Sequence, residues 1–335
     1  MNQLQVLNHP HLFSTASNTY PGVYPNDNEH LQPTVTLDRP NYNNWEFYCI
    51  LLKLIDFLKK LEQDKIKVYP KLTAVCSVPL MNAVFMYVLR QMPLFAHFIH
   101  LFDKFEVQPH LQVFHKFAVE NSQLTRTFQH VSSNTWENFF KRLRAELYAA
   151  KAQPQANKFQ AQVQKLRNQQ KTVFRRMMQT HEQANCIFLE LPLITQTDPP
   201  HYQTQEDAEK DSVKVLKKYF QWLLGTKQLS GILSDIQWRI VKGLDHKLTA
   251  QAFIYILGDE IDYLPLLKEQ WELVCLDYQL QGIFPEPKHT HCYDGQGIVQ
   301  KAWLQLIERV HEPLGFYRYK GNGITYLWKE YTGNV

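Results

Sequence analysis

The sequence predicts an α+β fold: a helical N-terminal half, then an antiparallel sheet domain with flanking helices. Three observations predict it. Apolar residues recur at helical spacing from Asn44 to about residue 152, as in Phe47, Leu51, Leu54, Leu58 and Leu61. The texture changes at Ala184 to short alternating, β-branched and aromatic runs, NCIFLELPLIT, IQWRIVKG and LTAQAFIYIL. Long amphipathic helices separate these runs, giving the order β-α-β-β-α-loop-α-β.

Each element follows from its residues. Residues 1–43 hold five prolines among many Asn and Thr and read as an extended arm. Asn44 is a plausible N-cap for the first helix, and further helices are expected near 78–90, 93–105, 110–118 and 134–152. A helix with one apolar stripe continues to about residue 180, interrupted near Pro154. After the strand at Ala184, acidic residues open a long helix that stops near Gly231. The strands at 236–243 and 248–257 form a hairpin across a turn holding Asp245 and His246. A helix near 261–282, a loop with His289, His291 and Cys292, a helix at 297–311 and a closing strand or short hairpin with a terminal helix turn complete the chain. The expected domains are therefore 1–43, 44–180 and 184–335.

Composition narrows the function. Of 335 residues, 44% are hydrophobic and 20% charged, enough for a buried core. Only 12 are glycine, and neither GxxxxGK[ST] nor GxGxxG occurs, which excludes the familiar phosphate loops. GxSxG and HExxH are also absent. Five scattered cysteines without a CxxC pair, and an N-terminus without a basic-then-apolar leader, fit a reduced cytoplasmic protein. The apolar stretch 72–102 is broken by Pro79, Asn82, Arg90 and Pro93, so it reads as buried core helices and no membrane partner is expected.

Charge is uneven. Between Phe140 and Gln179 stand Lys141, Arg142, Arg144, Lys151, Lys158, Lys165, Arg167, Lys171, Arg175 and Arg176, opposed by Glu146 alone. This is a solvated helical face, a contact surface for phosphate backbones, or a membrane-surface patch. The tail YRYKGNGITYLWK interleaves aromatics and cations, a pattern suited equally to single-strand stacking and to an amphipathic strand.

Residues 184–331 resemble the YagK/YfjJ C-terminal domain family of prophages and filamentous phages, a branch of the HUH endonucleases that initiate rolling-circle replication. The likeness is carried by CIFLELPL with Glu190, by VKVLKKYFQWLLGTKQLSGIL, by IQWRIVKG, by AFIYILGD and by ITYLWKEY. It implies a DNA-binding replication protein of a mobile element. In such enzymes a His-x-His pair on the third strand holds a divalent metal, and a tyrosine attacks the phosphorus. Here those positions are Thr249 and Gln251, poor substitutes for two imidazoles. The resemblance therefore implies a degenerate initiator without a cofactor that binds single-stranded or origin DNA. Contacts would come from Lys141, Arg142, Arg144, Lys158, Lys165, Arg167, Lys171, Arg175, Arg176, Arg239, Lys242 and Lys329. One alternative is an active nickase with Tyr326 or Tyr331 as nucleophile and a Mg or Mn ion held by Glu190, His289 and His291. His289 and His291 also read as plain loop histidines or as a structural metal site. Another alternative is a protein-interaction module with no affinity for nucleic acid.

Overall fold

The computed structural model describes residues 44–67, 87–89, 92, 105–122, 133–180, 184–194, 205–229, 231–243, 247–257, 263–285, 288–291, 298–321 and 323–331. The proposed arm at 1–43, most of the apolar stretch 72–102, and His246, Cys292 and Asp294 lie outside them. The fold is α+β, as the sequence predicts, with a helical half preceding the main sheet. The chain divides into two compact units.

The helical unit runs to Gln164 and takes in Gly315–Tyr317. It contains α1 (Asn44–Glu62), β1 (Phe105–Val107), α2 (Pro109–Glu120), α3 (Ser133–Ala149) and the first half of α4 (Ala152–Thr180). α1 buries Leu51, Leu54, Phe57, Leu58 and Leu61, the stripe its spacing predicts. α2 begins at Pro109, where a missing N–H costs nothing, and the Gln108 side chain accepts from the Leu111 amide at 3.1 Å. α3 buries Trp136, Phe139, Phe140, Leu143 and Leu147. Edge-to-face rings join these helices, with Phe57–Phe140 at 6.1 Å and Phe117–Phe139 at 4.9 Å between centroids.

The interruption expected near Pro154 falls earlier. Lys151 turns the chain at φ 50°, and Pro154 sits in the first turn of α4. Amide hydrogens there have no intrahelical acceptor, so proline is tolerated. α4 then carries an apolar stripe through Ala152, Ala156, Phe159, Val163, Phe174 and Met177.

A buried polar cluster ties the helical unit together. Glu62 accepts from His110 Nε2 at 2.9 Å and from the Gln153 amide at 3.3 Å. Because the Leu111 amide donates to Gln108 Oε1, the Gln108 NH2 must face His110 Nδ1, 3.0 Å away. Nδ1 is then an acceptor, and the imidazole carries its proton on Nε2, toward Glu62.

The sheet unit comprises Lys165–Leu314 and Arg318–Val335. The division falls inside α4, not at residues 180–184, because Phe174, Met177 and Met178 join the core of the sheet unit. The elements are β2 (Ala184–Pro192), α5 (Gln205–Gly225), β3 (Leu233–Lys242), β4 (Leu248–Leu257), α6 (Leu264–Asp277), β5 (Lys288–His291), α7 (Ile298–His311), β6 (Tyr317–Tyr319, whose first residue belongs to the helical unit) and β7 (Lys329–Glu330). The five-stranded order is β5-β2-β4-β3-β7, and every pair is antiparallel. Leaving β7 aside, this is a split β-α-β arrangement with β4 inserted between β2 and β3.

The main correction to the sequence reading lies at β5. The His289–His291 stretch is not a loop but an edge strand, with His289 opposite Ile187 and His291 opposite Asn185. Two helices are also shorter than expected: α5 stops at Gly225 and α6 at Asp277, beyond which Gln279 adopts φ 54°. Within the described residues the closing segment forms the two-residue strand β7, the strand alternative of the sequence reading.

Strand alternation assigns two faces. On one, Cys186, Phe188, Phe253 and Tyr255 pack with Phe174 and Met177 of α4 and Trp303, Leu306, Ile307 and Val310 of α7. On the other, Ile187, Leu189, Ile254, Ile236 and Trp238 are buried on the side of α5 and α6, and Phe220 meets Trp238 at 6.0 Å. Tyr219 of α5 packs edge-on against Trp271 of α6 at 5.4 Å and donates to the Leu267 carbonyl. Helices thus cover both faces of the sheet.

Candidate nucleic-acid interface and a buried polar network

Thr249 and Gln251, the positions expected from the resemblance to be a degenerate metal site, lie on β4, two residues apart and on one face. Register sets Gln251 opposite Glu190 on one side and Arg239 on the other. These three side chains form a chain. Arg239 Nε donates to Gln251 Oε1 at 2.8 Å, and Gln251 Nε2 donates to Glu190 Oε1 at 2.7 Å. Arginine only donates, so the amide oxygen of Gln251, its one atom able to ligate a metal, is committed.

Arg239 continues the network. Its NH1 donates to the Tyr326 carbonyl at 3.2 Å and its NH2 to the Val310 carbonyl at 2.8 Å. The guanidinium lies 4.4 Å from the ring centre of Trp328. The Trp328 indole donates to His311 Nε2 at 2.9 Å, and His311 Nδ1 donates to the Ile307 carbonyl at 2.7 Å. Arg239 is 1% exposed and His311 fully buried. Burial lowers the Arg239 pKa to about 9, against the opposing charge of Glu190. Burial, then the adjacent Arg239 cation, lowers His311 to about 3.

Strand register assigns the residues proposed for the nickase to different faces. His289 pairs with Ile187, and Ile187 and Glu190 lie on opposite faces of β2. The register positions of His289 and His291 therefore belong to the α5 face, and that of Glu190 to the α7 face. Among the described residues no group of three His, Cys, Asp or Glu side chains is placed to hold a metal. Tyr331 donates its amide to the Ile236 carbonyl and packs its ring on Phe220 of α5, so it too sits away from Glu190. Tyr326 places its ring 5.4 Å from the Arg318 guanidinium while its carbonyl serves Arg239.

The cations proposed for DNA contact separate into groups. Two are not available. Arg239 is enclosed as described, and Lys242, 4% exposed, bonds Glu209 at 3.2 Å on the α5 face. The Tyr319 hydroxyl donates to the same carboxylate, and the Lys242 ammonium lies 4.5 Å from the Tyr319 ring centre. Lys329 is partly buried, donating to the Gly323 carbonyl at 2.6 Å. Burial, then Lys217, depresses its pKa. Others pair at the surface: Lys141 with Glu137, Arg144 with Asp64 at 2.7 Å, and Lys171 with Glu308. Arg167 is half-buried. Arg142, Lys151 and Lys158 are exposed in the helical unit, and Lys165, Arg175 and Arg176 in the sheet unit.

The sequence missed His311 and Trp328 as partners of Arg239, and Glu209 as the partner of Lys242. His311 closes a helix and Trp328 lies in the tail, so spacing gave no sign of their meeting.

No helix among the described residues is long and apolar enough to cross a membrane. Comparison with family models, curated proteins and solved structures finds no match.

Proposed function

We propose that this chain is a DNA-binding protein of mobile-element or prophage origin, related to rolling-circle replication initiators, that does not nick DNA by metal-dependent catalysis. The observation that carries this reading is the engagement of Gln251. A residue standing where an imidazole would grip a cation instead bridges Arg239 and Glu190. Both ends of the Gln251 amide are engaged, and a divalent cation inserted beside Arg239 would meet like charge. Binding rests on phosphate contacts from the exposed cations of α3 and α4. Single-stranded or origin DNA is the partner the family likeness implies, and the cytoplasm is the compartment.

The test is a gel shift and a nicking assay on labelled single-stranded and hairpin origin-type DNA, with Mg or Mn and with chelator. The expected result is a shift that weakens steeply with salt and no cleavage in either condition. Cleavage that requires metal and disappears in Tyr326→Phe or Tyr331→Phe overturns the proposal. No shift of any DNA at low salt favours a protein-interaction module instead.

A further inference from the structure

Arg239 poses a physical problem that the DNA-binding reading leaves open. Its hydrogen bonds go to one amide oxygen and two main-chain carbonyls, and Glu190 accepts from Gln251 beside it. Enclosing a guanidinium without a carboxylate in contact is costly. Much of its enclosure comes from one short segment, residues 324–331. Tyr326 supplies a carbonyl and Trp328 a ring face. Trp328 also lies on Phe253 of β4, with ring centroids 5.1 Å apart.

The chemistry of that segment is that of a nucleotide. A flat ring lies over a guanidinium and packs at a tilt of 52° against an aromatic, and an acceptor oxygen takes an arginine N–H. We propose that residues 324–331 are a displaceable strap, an internal stand-in whose release lets single-stranded nucleic acid stack a base on Phe253 and set a phosphate on Arg239.

Ile324 at the start of the strap is buried, at 1% exposed, but the main-chain hold of the rest on the sheet is short. β7 pairs with β3 over two residues only, Lys329 with Trp238 and Glu330 with Gln237. The Tyr331 amide adds one bond to Ile236, and the Trp328 indole one to His311. Leu327 is 39% exposed and Tyr326 half-buried. Glycines sit at its base. Gly323 adopts φ 82°, and a Cβ on Gly321 would stand 2.3 Å from Glu209 Oε2. Gly321 thus packs close against Glu209, and Gly323 beyond it takes a left-handed conformation that favours glycine. Phe253, Arg239, Gln251 and Val310 belong to β4, β3 and α7, so the surface beneath persists when the strap leaves.

This inference rests on the DNA-binding reading and adds regulation to it. Because a site open in only a fraction of molecules binds more weakly by that fraction, a strap closed in nine-tenths of molecules masks about tenfold in affinity. The experiment compares wild type with Trp328→Ala, using a fluorescein-labelled 15-nucleotide oligo-dT and a 15-base-pair duplex in anisotropy titrations. Trp328→Ala is expected to bind the single strand at least about tenfold tighter and the duplex unchanged. Hydrogen exchange on wild type supplies a reading independent of the variant's folding: saturating oligo-dT is expected to release the Tyr331 amide. A folded Trp328→Ala with no gain for the single strand, or a strap that stays protected under saturating oligo-dT, overturns the strap and leaves DNA binding standing. If neither protein binds either DNA at low salt, both readings fall.

Discussion

At the scale of single residues, the stakes lie in buried polar groups whose partners are few. Arg239→Ala would strip Gln251 Oε1 and two carbonyls of their donor and leave a void under Trp328. It is expected to cost about 3–5 kcal/mol in urea unfolding. Arg239→Met, which keeps most of the volume and removes the buried charge, is expected to cost clearly less. His110 and His311 carry a pH signature. Burial lowers the pKa of both in the folded protein. The unfolded chain therefore takes up protons first, and stability is lost as pH falls below about 6.5, continuing for His311 to about 3. Protonated His311 would also set an N–H against the Trp328 indole N–H, 2.9 Å away. Thermal melts between pH 7 and 5, above the carboxylate range, are expected to show this decline, and His311→Gln to flatten it.

At the scale of elements, β3 is pinned to a helix on one face by an ion pair in its last residue. Lys242 and Glu209 are each 1% exposed at the side chain. Lys242→Met removes the cation and leaves the Glu209 carboxylate enclosed beside the Tyr319 hydroxyl. It is expected to destabilise by about 3–5 kcal/mol in denaturant titration. A double change with Glu209→Leu is expected to recover much of that loss.

The same strands show what was legible in the sequence. β2, β3 and β4 were visible because β-branched and aromatic residues alternate over runs of nine or ten. β5 was not: its KHTH has no apolar alternation, and it is extended because the open edge of β2 supplies hydrogen-bond partners. Arg239 and Lys242 read as surface cations for a related reason. Nothing local in IQWRIVKG says that α4 and α7 cover one face of the sheet while α5 covers the other. Thr249 and Gln251 were legible as a neutral pair on β4, while the bonding of Gln251 to Glu190 and Arg239 needed the register.

At the scale of the whole molecule, a net charge of +4 hides a strong local excess of cations between 140 and 179. If the exposed members of that excess carry DNA binding, affinity depends on salt through the ions they displace. Replacing Lys158 and Lys165 by Gln is expected to lower the slope of log K against log salt by about 0.7–0.9 for each, read from titrations at four salt concentrations. Replacing Lys171, which is engaged by Glu308, is expected to change the slope less. Replacing Lys242, enclosed with Glu209, is expected to leave it unchanged.

The long helix α4 carries a practical lesson for anyone wishing to study the sheet portion alone. A fragment cut just before Ala184, where the first strand starts, would lose Phe174, Met177 and Met178 and leave the apolar side of Phe188 and Phe253 uncovered. Such a piece is expected to aggregate on expression, whereas one beginning upstream of Lys165 retains its own cover.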